Sequence, residues 1–463
     1  MKQTTTIRLV SLAVQFIGAA VIARILGPSA LGLVALATVV TAFAGIFNDM
    51  GIGSALVQRP KLDEATLSAA FLLNLIVGAV LTLVVSATAP LASRFFGSDD
   101  LTPVLQLSSL TLVLSVSLVQ RSLLTRQMKF AAVMGLDFLY GFVSTVLSVV
   151  MVALGVGVMA IPLGAITATV VSSIVAAVLC PWRPRQLPTR ASLTALWHYS
   201  AGLLAFNIIN YIGNNLDNVL VGKYLGASSL GLYARAFNLM QIPVANLTRV
   251  LGTVMFPALS TLQNDRLRFE RGWLTGTKLA VMLGSLVAVV TSVTARPLVE
   301  LLYGSQWTEM SHTLAILMCA VPAYVYASNA SPIFLALDAT ALQFKLGLLT
   351  VVIRILSITI GLQFGYEGVA WGLLVGAYIN IGVTTVPAMR LAQIRVLPAL
   401  RSYWTLACAV AVSATSGLGV IAMTGHWPNL LVVVSVGSVC TAIYSGIVFL
   451  LDRELLGALR GRR

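Results

Sequence analysis

Apolar residues in this chain run on continuously for twenty or more positions, and short clusters of Gly, Pro, Arg and Lys interrupt them. A helix of a water-soluble protein shows an apolar stripe and a polar face. A barrel strand alternates polarity over about ten residues. Neither pattern dominates here. A helix crossing a bilayer needs about 20 mostly apolar residues. By that measure the chain divides into fourteen segments, at 7–26, 30–50, 66–92, 101–123, 130–154, 157–180, 195–221, 228–256, 273–295, 312–336, 343–364, 366–389, 403–423 and 428–450. The run from Phe138 to Pro181 carries no charge and is too long for one crossing. A hairpin turning at Gly155-Val-Gly157 fits it, and Gly365-Tyr-Glu-Gly368 divides a later pair in the same way. Without water, backbone groups are satisfied only within helices or closed barrels. The expected fold class is therefore an all-α integral membrane protein with about 14 transmembrane helices.

Composition supports this. The hydrophobic fraction is 58% and the charged fraction 10%, against roughly 25% charged in soluble domains. Mean hydropathy is +0.94. The net charge of +14 has a topological reading. If the fourteen segments alternate across the membrane, one side collects 21 of the 29 Lys and Arg and the other only Arg24, Arg94, Lys223 and Arg296. Cytoplasmic loops carry such an excess. The expected topology is multi-pass, with both termini cytoplasmic. No basic patch comes with stacking aromatics, so no nucleic-acid partner is expected. Lys2 and Arg8 precede an apolar stretch from Leu9 to Ala23, which resembles a secretory signal. It is read as an uncleaved first span, because it continues into a motif that recurs later. Cys180, Cys319, Cys408 and Cys440 are widely spaced, and His198, His312 and His426 do not cluster. No metal site or disulfide framework is implied, and the thiols are expected to pack as small hydrophobes.

The recurring motif is Leu26-Gly-Pro-Ser-Ala-Leu-Gly-Leu33 and Leu225-Gly-Ala-Ser-Ser-Leu-Gly-Leu232, six matches in eight positions at a separation of 199. The two copies follow segment one and segment seven. Two related six-helix bundles are thus expected at 1–190 and 191–395. Two extra transmembrane helices and a short basic cytoplasmic tail make up 396–463. Repeated halves are a common plan for transporters, with the substrate path at the repeat interface.

Polar residues inside the apolar segments supply candidate chemistry. Asn207, Asn210, Asn214, Asp217 and Asn218 in segment seven fall within about a 100° arc, and Arg235, Asn238, Asn246 and Arg249 in segment eight within about 80°. Such stripes point to a bundle interior or a water-filled cavity. The alternative is helix glue, with Asn and Asp–Arg pairs holding spans together. Arg24, Asp49, Asp137 and Arg354 are further polar groups in or near spans. Arg24 and Asp49 sit where they can snorkel, and Asp137 reads as a packing partner. An arginine-lined lumen suits an anionic substrate, since guanidinium grips phosphate bidentately. Asp217 instead suits proton coupling, and both roles remain open on sequence grounds. There is no Gly-x-Ser-x-Gly, Walker loop or His-Glu-x-x-His motif, so no catalytic residues are assigned.

The stretch from Asn215 to Pro243, with Thr253-Val-Met-Phe-Pro-Ala-Leu-Ser-Thr-Leu-Gln263, resembles the polysaccharide-transporter branch of the multidrug/oligosaccharidyl-lipid/polysaccharide flippase superfamily. Exporters of colanic-acid-type and other exopolysaccharides are the closest in pattern. Ala23-Arg-Ile-Leu-Gly-Pro28 and Asp49-Met-Gly-Ile-Gly-Ser-Ala-Leu-Val-Gln58 carry the same resemblance. It implies paired six-helix bundles around a polar cavity. It also implies transfer of an undecaprenyl-pyrophosphate-linked oligosaccharide between leaflets by alternating access, for exopolysaccharide, O-antigen or capsule synthesis. The expected substrate-lining set is Arg24, Asn207, Asn210, Asn214, Asp217, Arg235, Asn238, Arg249 and Arg354, with Asp217 and Asp49 as possible coupling carboxylates. No cofactor is expected beyond a coupling H+ or Na+. The expected partners are the lipid-linked substrate, membrane lipids, and a polysaccharide polymerase with its export machinery. A cation-coupled multidrug exporter of the same superfamily and a membrane-embedded polymerase are the alternatives. The polymerase is disfavoured because the longest outer loop spans only 296–311.

Overall fold

The computed structural model describes residues 2–59, 62–186, 189–262, 265–424 and 426–452. Lys61 and the basic tail from Arg453 lie outside the described residues. In chain order the helices are α1 (Lys2–Asp49), α2 (Ile52–Gln58), α3 (Glu64–Phe96), α4 (Leu101–Leu114), α5 (Leu118–Arg126), α6 (Phe130–Ala153), α7 (Ala160–Leu179), α8 (Arg190–Thr261), α9 (Arg266–Val293) and α10 (Ala295–Tyr303). They continue as α11 (Met310–Met318), α12 (Val321–Ser328), α13 (Ala330–Ala336), α14 (Thr340–Leu362), α15 (Gly365–Asn380), α16 (Val386–Leu391), α17 (Val396–Arg401), α18 (Trp404–Thr424) and α19 (Asn429–Leu451). A π turn at Ile381–Thr385 joins α15 to α16. No strand occurs among the described residues, and the protein is an all-helical, multi-span membrane protein.

Among the described residues, eleven helical runs are long and apolar enough to cross a bilayer, and the bent pair α4–α5 makes a twelfth. Two of these are too long for one crossing. The runs of 46 residues at Ala13–Gln58 and 55 residues at Asn207–Thr261 would extend roughly 70 and 80 Å at 1.5 Å per residue, against a hydrocarbon core of about 30 Å. Each is broken at a glycine: Gly27 has φ 77° and ψ 176°, and Gly226 has φ 83° and ψ 174°. That region is open to glycine and strained for other residues. Dividing both runs there yields the fourteen crossings read from hydropathy. Gly27 and Gly226 are equivalent positions of the repeated motif, so the repeat extends to the backbone.

Two expectations need correction. Segment four is not one helix. It breaks at Ser115–Ser117 and bends by 48° between α4 and α5. Side chains from neighbouring helices accept the cost: Asn48 Nδ2 donates to the Leu112 carbonyl at 3.1 Å and Ser173 Oγ to the Leu114 carbonyl at 3.3 Å. Irregular backbone at membrane depth requires such protein partners. Segment ten is three short helices, α11, α12 and α13. Pro322 and Pro332 each remove a helical donor there, and the buried Trp273 indole takes up the Asn329 carbonyl at 2.9 Å. The four cysteines are free, with Cys180 and Cys440 buried as expected but Cys319 exposed.

The chain divides into two compact units, Met1–Gly231 and Leu232–Arg463. In the first, α3 meets α4 along a row spaced every fourth residue. Asn74 and Thr82 are buried, Thr82 Oγ1 donates to the Ser109 carbonyl at 3.0 Å, and the Ser86 and Ser109 hydroxyls lie 2.9 Å apart. Gly78 completes the row, and a Cβ there would stand 2.7 Å from the Leu112 carbonyl oxygen. Segment seven joins this unit through the Tyr211 hydroxyl, which donates to the Val39 carbonyl at 2.7 Å.

In the second unit α14 and α15 form a hairpin in which Gly361 and Gly368 each abut the other's carbonyl. The last two helices, α18 and α19, are fastened to α9. Tyr444 Oη donates to the Met282 carbonyl at 3.0 Å. Lys278 pairs with Asp452, which also accepts from Thr405 at 3.1 Å. The side chains of Lys278 and Asp452 are only 12% and 3% exposed. Removing one partner of a buried pair leaves an uncompensated charge and costs about 3–5 kcal/mol, whereas replacing both is near neutral. Lys278→Met is therefore expected to lower the melting temperature of the purified protein in detergent, and Lys278→Met with Asp452→Leu to restore most of the loss. The comparison of the two melting curves is the check.

Candidate functional site: polar groups within the membrane

A polar chamber of about 460 Å³ lies inside the first unit. Its lining comes from α1 (Asn48, Asp49), α3 (Asn74), the α4–α5 break (Ser115, Ser117, Arg121), α6 (Asp137, Tyr140) and α7 (Thr169, Ser172, Ser173). Asn48 and Asp49 lie at the C-terminal end of α1, and Asn74 and Asp137 in the N-terminal halves of α3 and α6. Asn48 and Asn74 are buried, and Asn74 Nδ2 reaches Asn48 O at 3.2 Å and Asn48 Oδ1 at 3.3 Å. Arg121 and Asp137 form an ion pair across the chamber. The Asp137 side chain stays 66% exposed, so the pair faces open space in the chamber. Arg126, one turn further on, donates to the Leu56 carbonyl at 3.3 Å and to that of Arg59, closing the end of α2. Chemically the chamber holds two carboxylates and one guanidinium among amides and hydroxyls. It can hold water and exchange protons or small cations.

Asp49 is the one member of the expected site set found in this chamber. Asp137 pairs with Arg121 but is not packed between helices, since its side chain is 66% exposed. Sequence reading placed Arg121 among loop charges and passed over Asn48, Asn74, Tyr140 and Ser173. The available signal was topological: Asp49, Arg121 and Asp137 all end up on one side once the spans are counted.

The first half of α8 carries the asparagine stripe. Asn210 and Asn214 are exposed and Asn207 is half-buried. Asp217 differs. It is 0% exposed, and one carboxylate oxygen accepts from the Asn218 amide at 3.0 Å. Arg24, on α1, is exposed. Beyond Gly226, on the second half of α8, Asn238 and Arg249 are exposed while Arg235 is half-buried near Tyr303. Arg354, on α14, stands with its guanidinium 6.0 Å from the centroid of the Phe237 ring. Arg354 thus approaches α8 at Phe237, while Arg235, two residues earlier, and Asn238, the next residue, lie on other faces of the same turn.

The second unit also holds an apolar recess of about 580 Å³ between α9, α12, the π turn and α18. Val281, Ala288, Leu406 and Val410 form its walls, with the rings of Tyr326, Tyr378 and Tyr403 at its edge. It offers dispersion contact to hydrocarbon and little to a sugar.

The two kinds of polar group in the chamber should respond differently to mutation. Because Asp137 is largely exposed, its pair with Arg121 is worth less than about 1 kcal/mol. Asn74 is buried and hydrogen-bonded between helices, a contact worth roughly 1–2 kcal/mol. Asp137→Asn is expected to leave the melting temperature in detergent unchanged and Asn74→Leu to lower it.

Comparison with known proteins gives this arrangement a setting. Residues 21–312 match the family model described as polysaccharide biosynthesis protein. The lipopolysaccharide biosynthesis protein WzxC of Escherichia coli (strain K12) is 27% identical over 78% of this chain and 74% of its own. The succinoglycan biosynthesis transport protein ExoT of Rhizobium meliloti (strain 1021) is 23% identical over 96% of this chain and 91% of its own. Among solved structures, the lipid II flippase MurJ in an inward closed conformation superposes with a TM-score of 0.78 at 15% identity, covering 98% of this chain and 100% of that one. An inward-facing multidrug resistance MATE family transporter of the MOP superfamily gives 0.64 at 16% identity, over 83% of this chain and 98% of that one. These two likenesses show a shared fold. The family match covers more than half of the chain, which belongs to the polysaccharide biosynthesis protein family.

Proposed function

We propose that this chain is a flippase that carries an undecaprenyl-pyrophosphate-linked oligosaccharide from the inner to the outer leaflet of the bacterial inner membrane. The reading rests on family membership, on relatives named for lipopolysaccharide synthesis and for succinoglycan transport, and on a fold shared with a lipid II flippase. The observation that carries it is the row of arginine and asparagine side chains along α8 in an otherwise apolar chain. Sugar hydroxyls need amide and hydroxyl partners, and a pyrophosphate needs guanidinium. Arg235 and Arg354 supply guanidinium groups and Asn238 an amide. Arg24, Asn207, Asn210, Asn214 and Arg249 are further candidate lining residues, within an organisation of six, six and two spans. No bond is made or broken, and the protein acts as a transporter.

The charge bias supports cytoplasmic termini. Coupling to H+ or Na+ falls to Asp49, in its chamber, or to Asp217. A polymerase and its export machinery would take the product on the outer side.

Deleting the gene is expected to abolish surface polymer and to leave lipid-linked repeat units on the cytoplasmic leaflet, with drug susceptibility unchanged. Normal surface polysaccharide in a strain with no second copy would overturn the reading. Arg235→Gln and Arg249→Gln are each expected to lower export roughly ten-fold, the loss of an interaction worth about 1.4 kcal/mol in the transfer step, with normal amounts of protein in the membrane. Quantifying polymer against immunodetected protein is the check.

A further inference from the structure

The apolar recess of the second unit is built from small side chains. Ser285, Ala288, Val289 and Ser292 line it from α9, and Ala407, Val410, Ala411 and Ala414 from α18. Both sets repeat at three- and four-residue spacing, so each is one face of its helix. Small residues at a helix seam usually let two backbones close on each other. Here they leave about 580 Å³, walled also by α12 and the π turn, and Ala407 and Ala411 stay exposed. Thr405, which donates to Asp452, lies on the opposite face of α18. The fastener to Lys278 therefore leaves the recess face of α18 free.

The recess continues into a second hollow at the start of α18. That hollow is lined by Leu400, Arg401, Tyr403, Trp404 and Ala407, and it shares Leu400, Tyr403 and Ala407 with the recess. Arg401 and Trp404 are exposed there. Arg401 enters none of the ion pairs among the described residues. It belongs to the basic loop that also carries Arg390 and Arg395.

The chemistry along this groove runs in the order of a phospholipid. A guanidinium comes first and suits a phosphate. An indole follows, as at the headgroup level of a bilayer. Apolar wall comes last. From Tyr403 to Ala414 the wall extends about 16 Å at 1.5 Å per residue, close to half of a hydrocarbon core of about 30 Å. A methylene takes about the room of a water molecule in the liquid, roughly 30 Å³, so the recess holds on the order of twenty carbons. That is one acyl chain. An undecaprenyl tail is several times larger, and a sugar would find few polar partners. Basic pockets between spans on the cytoplasmic side are suited to anionic lipid heads.

We propose that the recess binds one acyl chain of an anionic phospholipid, whose phosphate pairs with Arg401. The chain supplies the dispersion contacts that Ala and Ser leave unmade. It holds α18 to α9 and to the π turn on the face opposite Thr405. The site is separate from the residues assigned to the oligosaccharide, and its test uses none.

Purified full-length protein, stripped of lipid by detergent exchange, is titrated with phosphatidylglycerol or with phosphatidylcholine of the same acyl chains. Two readouts are followed. One is the melting temperature. The other is the rate at which N-phenylmaleimide labels Cys319, which is exposed and lines the recess, in a Cys408→Ala background; Cys180 and Cys440 are buried. Phosphatidylglycerol is expected to raise the melting temperature by several degrees and to slow labelling several-fold. Phosphatidylcholine is expected to need about ten-fold more lipid for the same effect, the equivalent of one charge pair of about 1.4 kcal/mol. Arg401→Gln is expected to remove the difference between the lipids, and Arg185→Gln, an exposed arginine of the other unit, to keep it. Ala411→Phe fills the recess and is expected to abolish both responses; should it fail to fold, Ala414→Leu is read in its place. Equal responses to the two lipids in the unaltered protein would overturn the proposal, and so would a response that survives in the folded recess-filling variant. Displacement of phosphatidylglycerol by equimolar undecaprenyl phosphate would overturn it too, and would give the recess to the tail of the substrate.

Discussion

Lipid is as apolar as leucine, so a membrane helix gains nothing by hiding hydrophobic surface against another helix. What remains to hold the structure is close packing and the few polar groups that hydrocarbon will not solvate. The chain meets that constraint with small residues at the seams. Gly78, Thr82 and Ser86 bring α3 against α4, and Asn74 ties α3 to Asn48 of α1. Gly361 and Gly368 do the same for α14 and α15, and Gly32 and Gly231 for the repeated turns. At each seam a carbonyl oxygen sits where a larger residue would place its Cβ. Volume changes at these positions should therefore matter more than changes at the many exposed leucines and valines.

The same constraint sorts the charges. Lys278 and Asp452 are buried together and tie the last two helices to α9. Arg121 and Asp137 are paired but open to a chamber. Arg354 rests on the ring of Phe237. The first arrangement is that of a fastener, since neither group has room for a ligand. The Arg121–Asp137 pair keeps charge open to the chamber, a costly position within the membrane. The broken segment α4–α5 belongs with this pair: its freed carbonyls are satisfied by Asn48 and Ser173 from the chamber's own walls.

The spans, their number and the repeated turn are legible in the sequence because each depends on residues close together in the chain. Hydropathy over twenty positions is a local property, and so is a glycine that must turn. The chamber is not legible in this way. Its members come from α1, α3, α4, α5, α6 and α7, and only packing decides that Asn48 faces Asn74 or that Arg121 turns inward to Asp137. The break at Ser115–Ser117 has no proline or glycine to announce it. Helical periodicity grouped Asp217 with Asn210 and Asn214, yet Asp217 is covered while they are exposed. A stripe on a helical wheel fixes an angle, not the depth of a side chain in its surroundings.

The most direct test of the central claim is transfer across a bilayer by the purified protein alone. Liposomes would carry an undecaprenyl-pyrophosphate-linked oligosaccharide labelled in both leaflets, with or without the reconstituted protein, under an imposed proton or sodium gradient. A glycosidase added outside reports the fraction of oligosaccharide within reach. The account predicts that protein-free vesicles lose only the outer-leaflet half and that protein-containing vesicles lose nearly all of it. Digestion that stops at half in both preparations, with folded protein present in the membrane and under either gradient, would contradict it.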